Sequence, residues 1–464
     1  MGQHQTRRDA VDYQSRNPGA SGANHFIKVD RCSDQLCLYV SIAVFSLSPR
    51  ALCDHSYTMS VLSEIIHDCY ESVRVLVEQI GPRPAGSAAE EAAFRYIEER
   101  LHRWGYDICQ LPVPYAPLPK FSAIALWGGI YLVIGSALLR VFPYAAILAP
   151  LVILSFPQLS RWLMRRRRRT CRSQECIAEL NHPQKTNADL IICAHVDSAR
   201  AYAFEGEGGL RLYDSGLYLA QRAAIAIALA GIFLALGFSV PPLLTNLFGG
   251  AGISVGCVWL GMEIYNQLGK PVRYSPGAYD NASGVGVALG LAQYYAVNPP
   301  KHIRLRFLFT SAEETGLHGA EAYLQFAGKL TRTAVINLDM VGAGSRLQWV
   351  SREGVLFPIK TNQVINQLFA KADDAASGIW YTRRSGDYLP FLEHHIPATS
   401  LQTGGNILAE RYYHSVKDRM ESIQLSTLDH TLRTMVKFID QFERYGAQEL
   451  FREKRNNGIP KEKK

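Results

Sequence analysis

The chain has 464 residues, a formal net charge of +8 and a hydrophobic fraction of 48%. This length fits one large domain or two ordinary ones. Its nine cysteines are odd in number and form no CxxC pair, which argues against a disulfide framework and against a thiolate zinc site.

Residues 1–58 differ in composition from the rest of the chain. They are polar at first and then contain a short apolar run at 36–47, which falls short of the roughly 20 residues that span a bilayer. The polar lead is also too long for a signal peptide. We expect a disordered extension, or translation from a start upstream of Met59. Helical periodicity begins near Met59, and 59–120 is predicted to open the soluble domain.

Residues 121–160 predict a first membrane hairpin. The segments 121–139 and 141–160 contain no charged residue, and only Arg140 separates them. Each has about the length of a transmembrane helix. Seven arginines follow between Arg161 and Arg172. Beside an apolar hairpin, this run indicates a cytoplasmic anchor rather than a nucleic-acid site, so no nucleic-acid partner is expected.

Residues 223–262 predict a second hairpin. The segment is uncharged, turns at Pro241 and carries small residues at 249–252 that favour close helix packing. Basic residues flank it, and by the positive-inside rule the soluble domain faces the cytoplasm. The expectation is an integral membrane protein with about four transmembrane helices and the lipid bilayer as a partner.

The remaining segments, 161–222 and 263–447, alternate between strand and helix patterns, and 448–464 is a basic tail. A helix at 284–297, a strand at 303–310, a helix at 318–328 and a strand at 333–340 follow one another. Such alternation is typical of an α/β fold, with a mostly parallel mixed sheet and helices on both faces.

Polar side chains follow three of the predicted strands. In open α/β sheets, sites gather at the carboxyl ends of strands. Imidazole and carboxylate donors without thiolate suit zinc, although other divalent metals accept the same donors. The candidate donors at these strand ends are His195 and Asp197, Glu313 and Glu314, and Asp339.

Two further candidates lie outside these strand ends. Asp280 lies in a Gly-bracketed turn at 277–284, and His414 follows two tyrosines. A carboxylate shared between two ions permits a two-metal site about 3.5–4 Å across. Two adjacent glutamates cannot usually point the same way, so one of Glu313 and Glu314 is expected to bind metal and the other to act as a general base.

These motifs together resemble the M28 family of zinc metallopeptidases, the aminopeptidase-like group. The resemblance covers about residues 60–120 and 170–447, interrupted by the two hairpins. It rests on an ordered set of motifs: AHVDS at 194–198, YDNASGV at 279–285, SAEETGLHG at 311–319, NLDMVG at 337–342 and YHS at 413–415.

The resemblance implies two zinc ions and a role for each motif. His195 and Asp339 would hold one zinc, Glu314 and His414 the other, and Asp280 would bridge them. Glu313 would take a proton from the metal-bound water, Asp197 would orient His195, and Tyr413 would steady the oxyanion of the tetrahedral intermediate. A cis peptide is expected between Asp280 and Asn281.

The segment 385–391 resembles the family's Ser-Asp-His-x-x-Phe segment, with an extra Gly and with Tyr for His. It suggests a substrate contact for Asp387, with a surface turn as the alternative. Asp418, four residues after His414, is expected to support that loop.

The resemblance favours a membrane-anchored dinuclear zinc exopeptidase, specifically an aminopeptidase acting on peptides. Three alternatives remain open. A carboxypeptidase would need a basic residue such as Arg383 or Arg384 for the substrate carboxylate. A glutaminyl-cyclase-like transferase works with one zinc. A catalytically silent membrane scaffold would lack a ligand or the base. The oligomeric state is left undetermined.

Overall fold

A nine-stranded sheet organises the fold in the computed structural model, which describes residues 55–116, 121–154, 169–180, 186–203, 207–268, 271–354, 358–382 and 384–456. The expectation for 1–58 therefore falls almost wholly outside the described residues, as does the arginine run as far as residue 168. The strands are β1 (Asp107–Tyr115), β2 (Cys171–Glu179), β3 (Ala188–His195), β4 (Ile303–Thr310), β5 (Thr333–Leu338), β6 (Arg346–Glu353), β7 (Ile359–Lys360), β8 (Ser377–Tyr381) and β9 (Ala398–Gly404).

The strand order is β1-β2-β4-β3-β5-β9-β6-β7, with β8 paired to β6. The central strands β4, β3, β5 and β9 are parallel to one another, and the chain adds antiparallel strands on both flanks. The predicted α/β class and mixed sheet are confirmed, but the sheet is not mostly parallel, because antiparallel pairs are as frequent as parallel pairs among the described strands. The periodicity of single strands could not reveal this, because direction depends on how the chain returns between strands.

Helices cover both faces of the sheet, as predicted. One face carries α1 (His55–Arg74), α2 (Ala88–Arg103) and the helices that pack with them, and the other carries α8 and α10. The remaining helices are α3 (Phe121–Ala137), α4 (Pro143–Leu154), α5 (Glu207–Ala235), α6 (Pro242–Leu268), α7 (Ser283–Val297), α8 (His318–Ala327), α9 (Gln363–Ala372), α10 (Tyr388–Glu393), α11 (Ile407–Tyr412), α12 (Leu425–Gln441) and α13 (Ala447–Asn456).

The two apolar insertions form one four-helix unit, in which α3 packs on α6 and α4 packs on α5. Within the described residues, two helical segments are long and apolar enough to cross a membrane, Tyr218–Ala235 in α5 and Pro242–Asn266 in α6. Helices α3 and α4 are shorter, with 17 and 12 described residues. The described residues thus contain two candidate spans where the sequence predicts about four, and α5 and α6 extend beyond 223–262 at both ends.

The turns of both insertions lie at the same end of this unit. Arg140, in the first turn, donates a hydrogen bond from Nη1 to Asn246 Oδ1 near the start of α6, at 3.4 Å. The glycines of α5 and α6 permit close approach, as predicted for 249–252: a Cβ on Gly249 would lie 3.1 Å from the carbonyl oxygen of Ser136 in α3.

Replacing Gly231 with alanine is expected to destabilise the four-helix unit by about 1–3 kcal/mol, the usual cost of overpacking. A Cβ there would lie 2.5 Å from the carbonyl oxygen of Pro143, a backbone atom that cannot rotate away. The matched control is Gly250→Ala, where a Cβ meets nothing within 4 Å. Thermal unfolding in detergent measures both variants, and equal midpoints would contradict the close α4–α5 contact.

Candidate metal centre

The carboxyl ends of β3, β4 and β5 form one edge of the sheet, named here the catalytic rim. His195 is the last residue of β3 and is in register with Thr310, the last residue of β4. Asp339 directly follows β5. Neighbouring parallel strands therefore end side by side and deliver their donors to one place, as the sequence predicts.

His195 is the centre of a first donor group. Its Nε2 lies 3.1 Å from Asp280 Oδ1 and 3.6 Å from Asp339 Oδ1. The donor atoms of the three residues all lie within 4.8 Å of one another, and all three side chains are buried. One imidazole with two carboxylates suits a divalent metal such as zinc.

A second donor group shares Asp280 with the first. The Nε2 of His414 lies 3.1 Å from Asp280 Oδ2 and 3.1 Å from Glu314 Oε2. The two oxygens of Asp280 therefore face two different histidines. The third candidate group joins His195, Glu313 and Glu314, so both glutamates line the same space.

Two properties of the residues at the catalytic rim suit them to bind metal ions: buried carboxylate oxygens that lack a hydrogen-bond partner, and a concentration of acidic groups. Among the described residues, Glu314 Oε1 and Asp339 Oδ1 are buried without a hydrogen-bond partner. Burial raises the pKa of Glu314 to about 7, even though His414 opposes the shift. Several carboxylates buried together are costly, and divalent cations are the groups that compensate such a cluster.

The turn that carries Asp280 is held by hydrogen bonds from both sides. The carboxylate of Asp418 accepts the backbone N–H groups of Tyr279 at 2.8 Å and Asp280 at 3.1 Å. Asn281 Nδ2 donates to the carbonyl oxygen of Leu338 at 2.8 Å. The peptide between Asp280 and Asn281 is cis, as expected. Asp418 is expected to support the loop of His414, and its carboxylate is found to support the Asp280 turn.

Glycine is required where this turn begins. Gly277 has a φ of +64°, and a Cβ there would lie 2.6 Å from the carbonyl oxygen of Asp280. Both the left-handed backbone and the close approach exclude larger residues. The glycine at the start of the motif thus permits the conformation that aims Asp280 at both histidines.

Asp197 contacts His195 mainly through its backbone. His195 Nδ1 lies 3.0 Å from the carbonyl oxygen of Asp197 and 3.6 Å from its Oδ1. The carboxylate instead accepts the backbone N–H groups of Glu313 and Glu314, each at 3.2 Å. Asp197 thus joins the β3 exit to the loop that carries both glutamates, a role that residue type alone did not indicate.

Tyr413 lies between a cation and a candidate ligand. Its ring stacks on His414 with centroids 3.8 Å apart, and the Arg384 guanidinium lies 4.4 Å from the Tyr413 centroid. Arg384 is half-buried and also donates to Met340 Sδ at 3.7 Å. Arg383, the other basic candidate, lies outside the described residues.

Asp387 is fully buried and accepts a hydrogen bond from Thr310 Oγ1 at the end of β4. Burial raises the pKa of this carboxyl to about 7. The alternative of a surface turn is therefore wrong. Its burial beside the β4 end places Asp387 beneath the catalytic rim.

Sequence reasoning missed two buried charged residues that support the rim. Glu90 of α2 accepts hydrogen bonds from Ser311 Oγ, Ser173 Oγ and the Gly86 N–H, which ties α2 to the segment before Glu313. Arg83 is 0% exposed and lies in the Gly-Pro-rich break after α1. Its guanidinium donates to the carbonyl oxygens of Leu76, Gly81, Val196, Pro276 and Gly277.

Replacing Arg83 with methionine is expected to lower the free energy of unfolding by more than about 3 kcal/mol, since each orphaned buried acceptor costs about 1–3 kcal/mol. Val196 follows the first candidate ligand, and Pro276 and Gly277 precede the Asp280 turn, so metal affinity should fall as well. Arg95→Met in the same region is the control, because that side chain is 57% exposed. If urea unfolding gives both variants the same loss of free energy of unfolding, the stabilising role of the Arg83 hydrogen bonds is wrong.

Known proteins similar to this chain include peptidases. Residues 265–439 match Peptidase family M28. Aminopeptidase YwaD of Bacillus subtilis is 30% identical over 168 residues, 34% of this chain and 36% of that protein. The vacuolar membrane protease of Schizosaccharomyces japonicus is 38% identical over 93 residues, 20% of this chain and 10% of that protein. The chain thus matches well under half the length of these curated relatives.

Two solved structures align with most of the chain. The zinc aminopeptidase BSAP from Bacillus subtilis aligns with a TM-score of 0.47 and 17% identity, covering 81% of this chain and 95% of that chain. A Porphyromonas gingivalis glutaminyl cyclase aligns with a TM-score of 0.48 and 14% identity, covering 81% of this chain and 98% of that chain.

The segment that matches the family contains most of the candidate metal centre. It includes every candidate ligand except His195, together with the candidate base: Asp280, Glu313, Glu314, Asp339 and His414. Together with the aminopeptidase and the membrane protease, the match supports a hydrolase. Over residues 265–439, the chain is therefore similar to Peptidase family M28.

Proposed function

We propose that this chain is a membrane-anchored dinuclear zinc exopeptidase, an aminopeptidase that hydrolyses N-terminal peptide bonds. The observation that carries the proposal is the position of Asp280. One of its oxygens lies 3.1 Å from His195 Nε2 and the other lies 3.1 Å from His414 Nε2. A carboxylate between two imidazole-containing donor groups is the arrangement expected of a bridging ligand.

The proposed ligands divide between two ions. His195 and Asp339 would hold one, Glu314 and His414 would hold the other, and Asp280 would be shared between them. Zinc or another divalent metal held by these residues would supply Lewis-acid chemistry: it would lower the pKa of water and polarise the carbonyl group of the scissile bond.

Glu313 is the proposed proton carrier. Burial raises the pKa of its carboxyl well above the usual range, and a more basic carboxylate takes up a proton more readily, as a general base must. Asp197 holds the backbone of Glu313 in place by accepting its N–H at 3.2 Å. The phenol of Tyr413, stacked on His414, donates to the oxygen that develops negative charge.

The anchor is the four-helix unit, with α3 and α4 as two further spans beside α5 and α6. Its outward side chains are large and apolar, among them Trp127, Leu229, Phe233 and Leu247, which are 57%, 52%, 52% and 58% exposed. Such a surface is stable in lipid and costly in water. The excess of arginine next to the first hairpin supports a cytoplasmic catalytic domain.

Arg384 favours a second candidate, a carboxypeptidase. Its guanidinium stacks on Tyr413 next to His414 and forms no ion pair within the described residues, so it is available to bind a substrate carboxylate. A silent scaffold is not favoured, because every proposed ligand and the base are present. Similarity to an aminopeptidase ranks that activity first.

Metal analysis with an activity panel tests the proposal on the full chain in detergent. We expect about two zinc ions per chain and hydrolysis of aminoacyl reporters. Cleavage restricted to substrates with a free C terminus, lost in Arg384→Met, would establish the carboxypeptidase instead. Cyclisation of N-terminal glutamine without hydrolysis would indicate a cyclase. A protein without zinc and without turnover would favour the scaffold.

A further inference from the structure

The second hairpin leaves the sheet from the catalytic rim. Helix α5 is reached through residues 196–203, directly after His195, and α6 returns through 271–277 to the Asp280 turn. These two segments are joined to each other: Ala201 N–H donates to the carbonyl oxygen of Arg273, and Ser275 N–H donates to that of Ala199, both at 2.9 Å. The base of the second hairpin therefore consists of the segment that follows one proposed ligand, His195, and the segment that precedes another, Asp280.

The first hairpin leaves from the same rim. Strand β2 runs antiparallel to β4 with Cys176 opposite Phe309, so residue 175 is level with the end of β4. The strand nevertheless begins at Cys171, which pairs with Tyr115 at the end of β1. The β1–β2 ribbon thus projects beyond the rim by about 13 Å, at roughly 3.3 Å per residue. The ends of β1 and β2 that are connected in sequence to α3 and α4 lie at the projecting end.

A short link connects the end of α6 to a proposed ligand. Asn266 Oδ1 accepts the backbone N–H of Ala203 at 3.0 Å. The preceding residue, Tyr202, donates its N–H to the carbonyl oxygen of His414 at 2.9 Å and places its ring 5.5 Å from the imidazole. Since consecutive residues are about 3.8 Å apart, Asn266 lies within about 10 Å of the His414 backbone.

In the proposed anchor, Asn266 lies at the level of the membrane surface. It is the last residue of the apolar segment of α6, and the uncharged stretch of the hairpin ends at Glu263. On α5 the uncharged stretch begins after Arg222. Charged and amide side chains at helix ends lie in the headgroup region rather than in the hydrocarbon. The proposed site is thus within about 10 Å of that region.

From this geometry, and resting on the proposed function, we infer that the site faces the membrane and acts on membrane-tethered polypeptides. Its substrates are chains that are inserted in the bilayer or linked to lipid, and whose free terminus emerges only a few residues from the surface. A short extended segment reaches the rim, since about three residues span 10 Å. A substrate with a bulky folded domain next to its terminus would be excluded, because that domain would contact the bilayer before the terminus reached the rim.

A spacer series tests this inference with the full chain in lipid vesicles. Each substrate is a peptide with a free N terminus, the same three N-terminal residues and a C-terminal palmitoyl-lysine. The spacer before the lipid is about 3, 6, 12 or 24 residues of Gly and Ser, which behave as a flexible coil. An untethered peptide of each length gives the activity without the membrane anchor. Release of the N-terminal amino acid is measured by mass spectrometry, with Glu313→Gln as the background.

We expect the tethered peptides with 3 and 6 spacer residues to be cleaved at least as fast as those with 12 and 24. Tethering alone raises local concentration for every spacer, so the dependence on length is the informative readout. Resistance of the short spacers, with cleavage of long-spacer and untethered peptides, would overturn the membrane-facing site and leave the proposed function standing. Failure to cleave any peptide, tethered or untethered, would contradict both the proposed function and the membrane-facing site.

Discussion

Asp280→Ala is expected to release both zinc ions and to reduce kcat/KM far more than 100-fold. Loss of a residue that only supports a ligand costs about 10–100-fold in metal affinity, and Asp280 belongs to both donor groups. The matched variant Glu314→Ala removes a donor that the two-ion assignment gives to one ion alone, so it should retain roughly one.

Equilibrium dialysis against zinc, followed by elemental analysis, distinguishes these variants. Thermal unfolding of the metal-free proteins provides the control for folding, since the Asp280 turn is held by Asp418 through backbone N–H groups and not through the Asp280 side chain. If Asp280→Ala and Glu314→Ala lose the same amount of zinc, the bridging role is wrong and a single-ion site replaces it.

Glu313→Gln is expected to lower kcat by about 10²–10⁴-fold, the usual contribution of a positioned general base. The amide keeps the shape of the side chain but cannot accept the proton. Zinc content should be unchanged, because Glu313 is assigned to the proton and not to a metal. Glu314→Gln is the matched comparison, because Glu314 is adjacent to Glu313 in the same loop and Asp197 accepts the backbone N–H of both residues.

The two glutamates could exchange roles, because both belong to a donor group with His195. The outcome that would show this is loss of zinc in Glu313→Gln with retention in Glu314→Gln. Single-turnover rates with saturating substrate separate a defect in chemistry from one in binding. An unchanged kcat in both variants would exclude a general-base glutamate at this position.

The order of elements and the convergence of the candidate donors followed from the sequence. Predicted strands that are followed by, or end near, His195, Glu313 and Asp339 indicate that the donors converge, and the structure places these three strands side by side. Local signals sufficed because a buried parallel strand is a continuous apolar run and its end is marked by the polar residues that follow.

The directions of the flanking strands and the support of the site required the tertiary structure. Glu90 and Arg83 looked like ordinary helix and loop residues, yet both are buried and hydrogen-bonded to segments 80 or more residues away. A buried charge is stable only with partners, and nothing local in the sequence names partners at that distance. Asp197 likewise holds the backbone of the glutamate loop, which depends on how β3 and β4 align.

The same distinction between sequence and tertiary structure applies to the two apolar hairpins. The sequence alone determined where the apolar segments lie, since the absence of charge over 223–262 is a local property. That both hairpins leave from the catalytic rim was decided by the antiparallel placement of β1 and β2 beside β4, a long-range pairing. Composition determines which segments are apolar enough to enter lipid, whereas strand direction determines the edge of the sheet from which they leave.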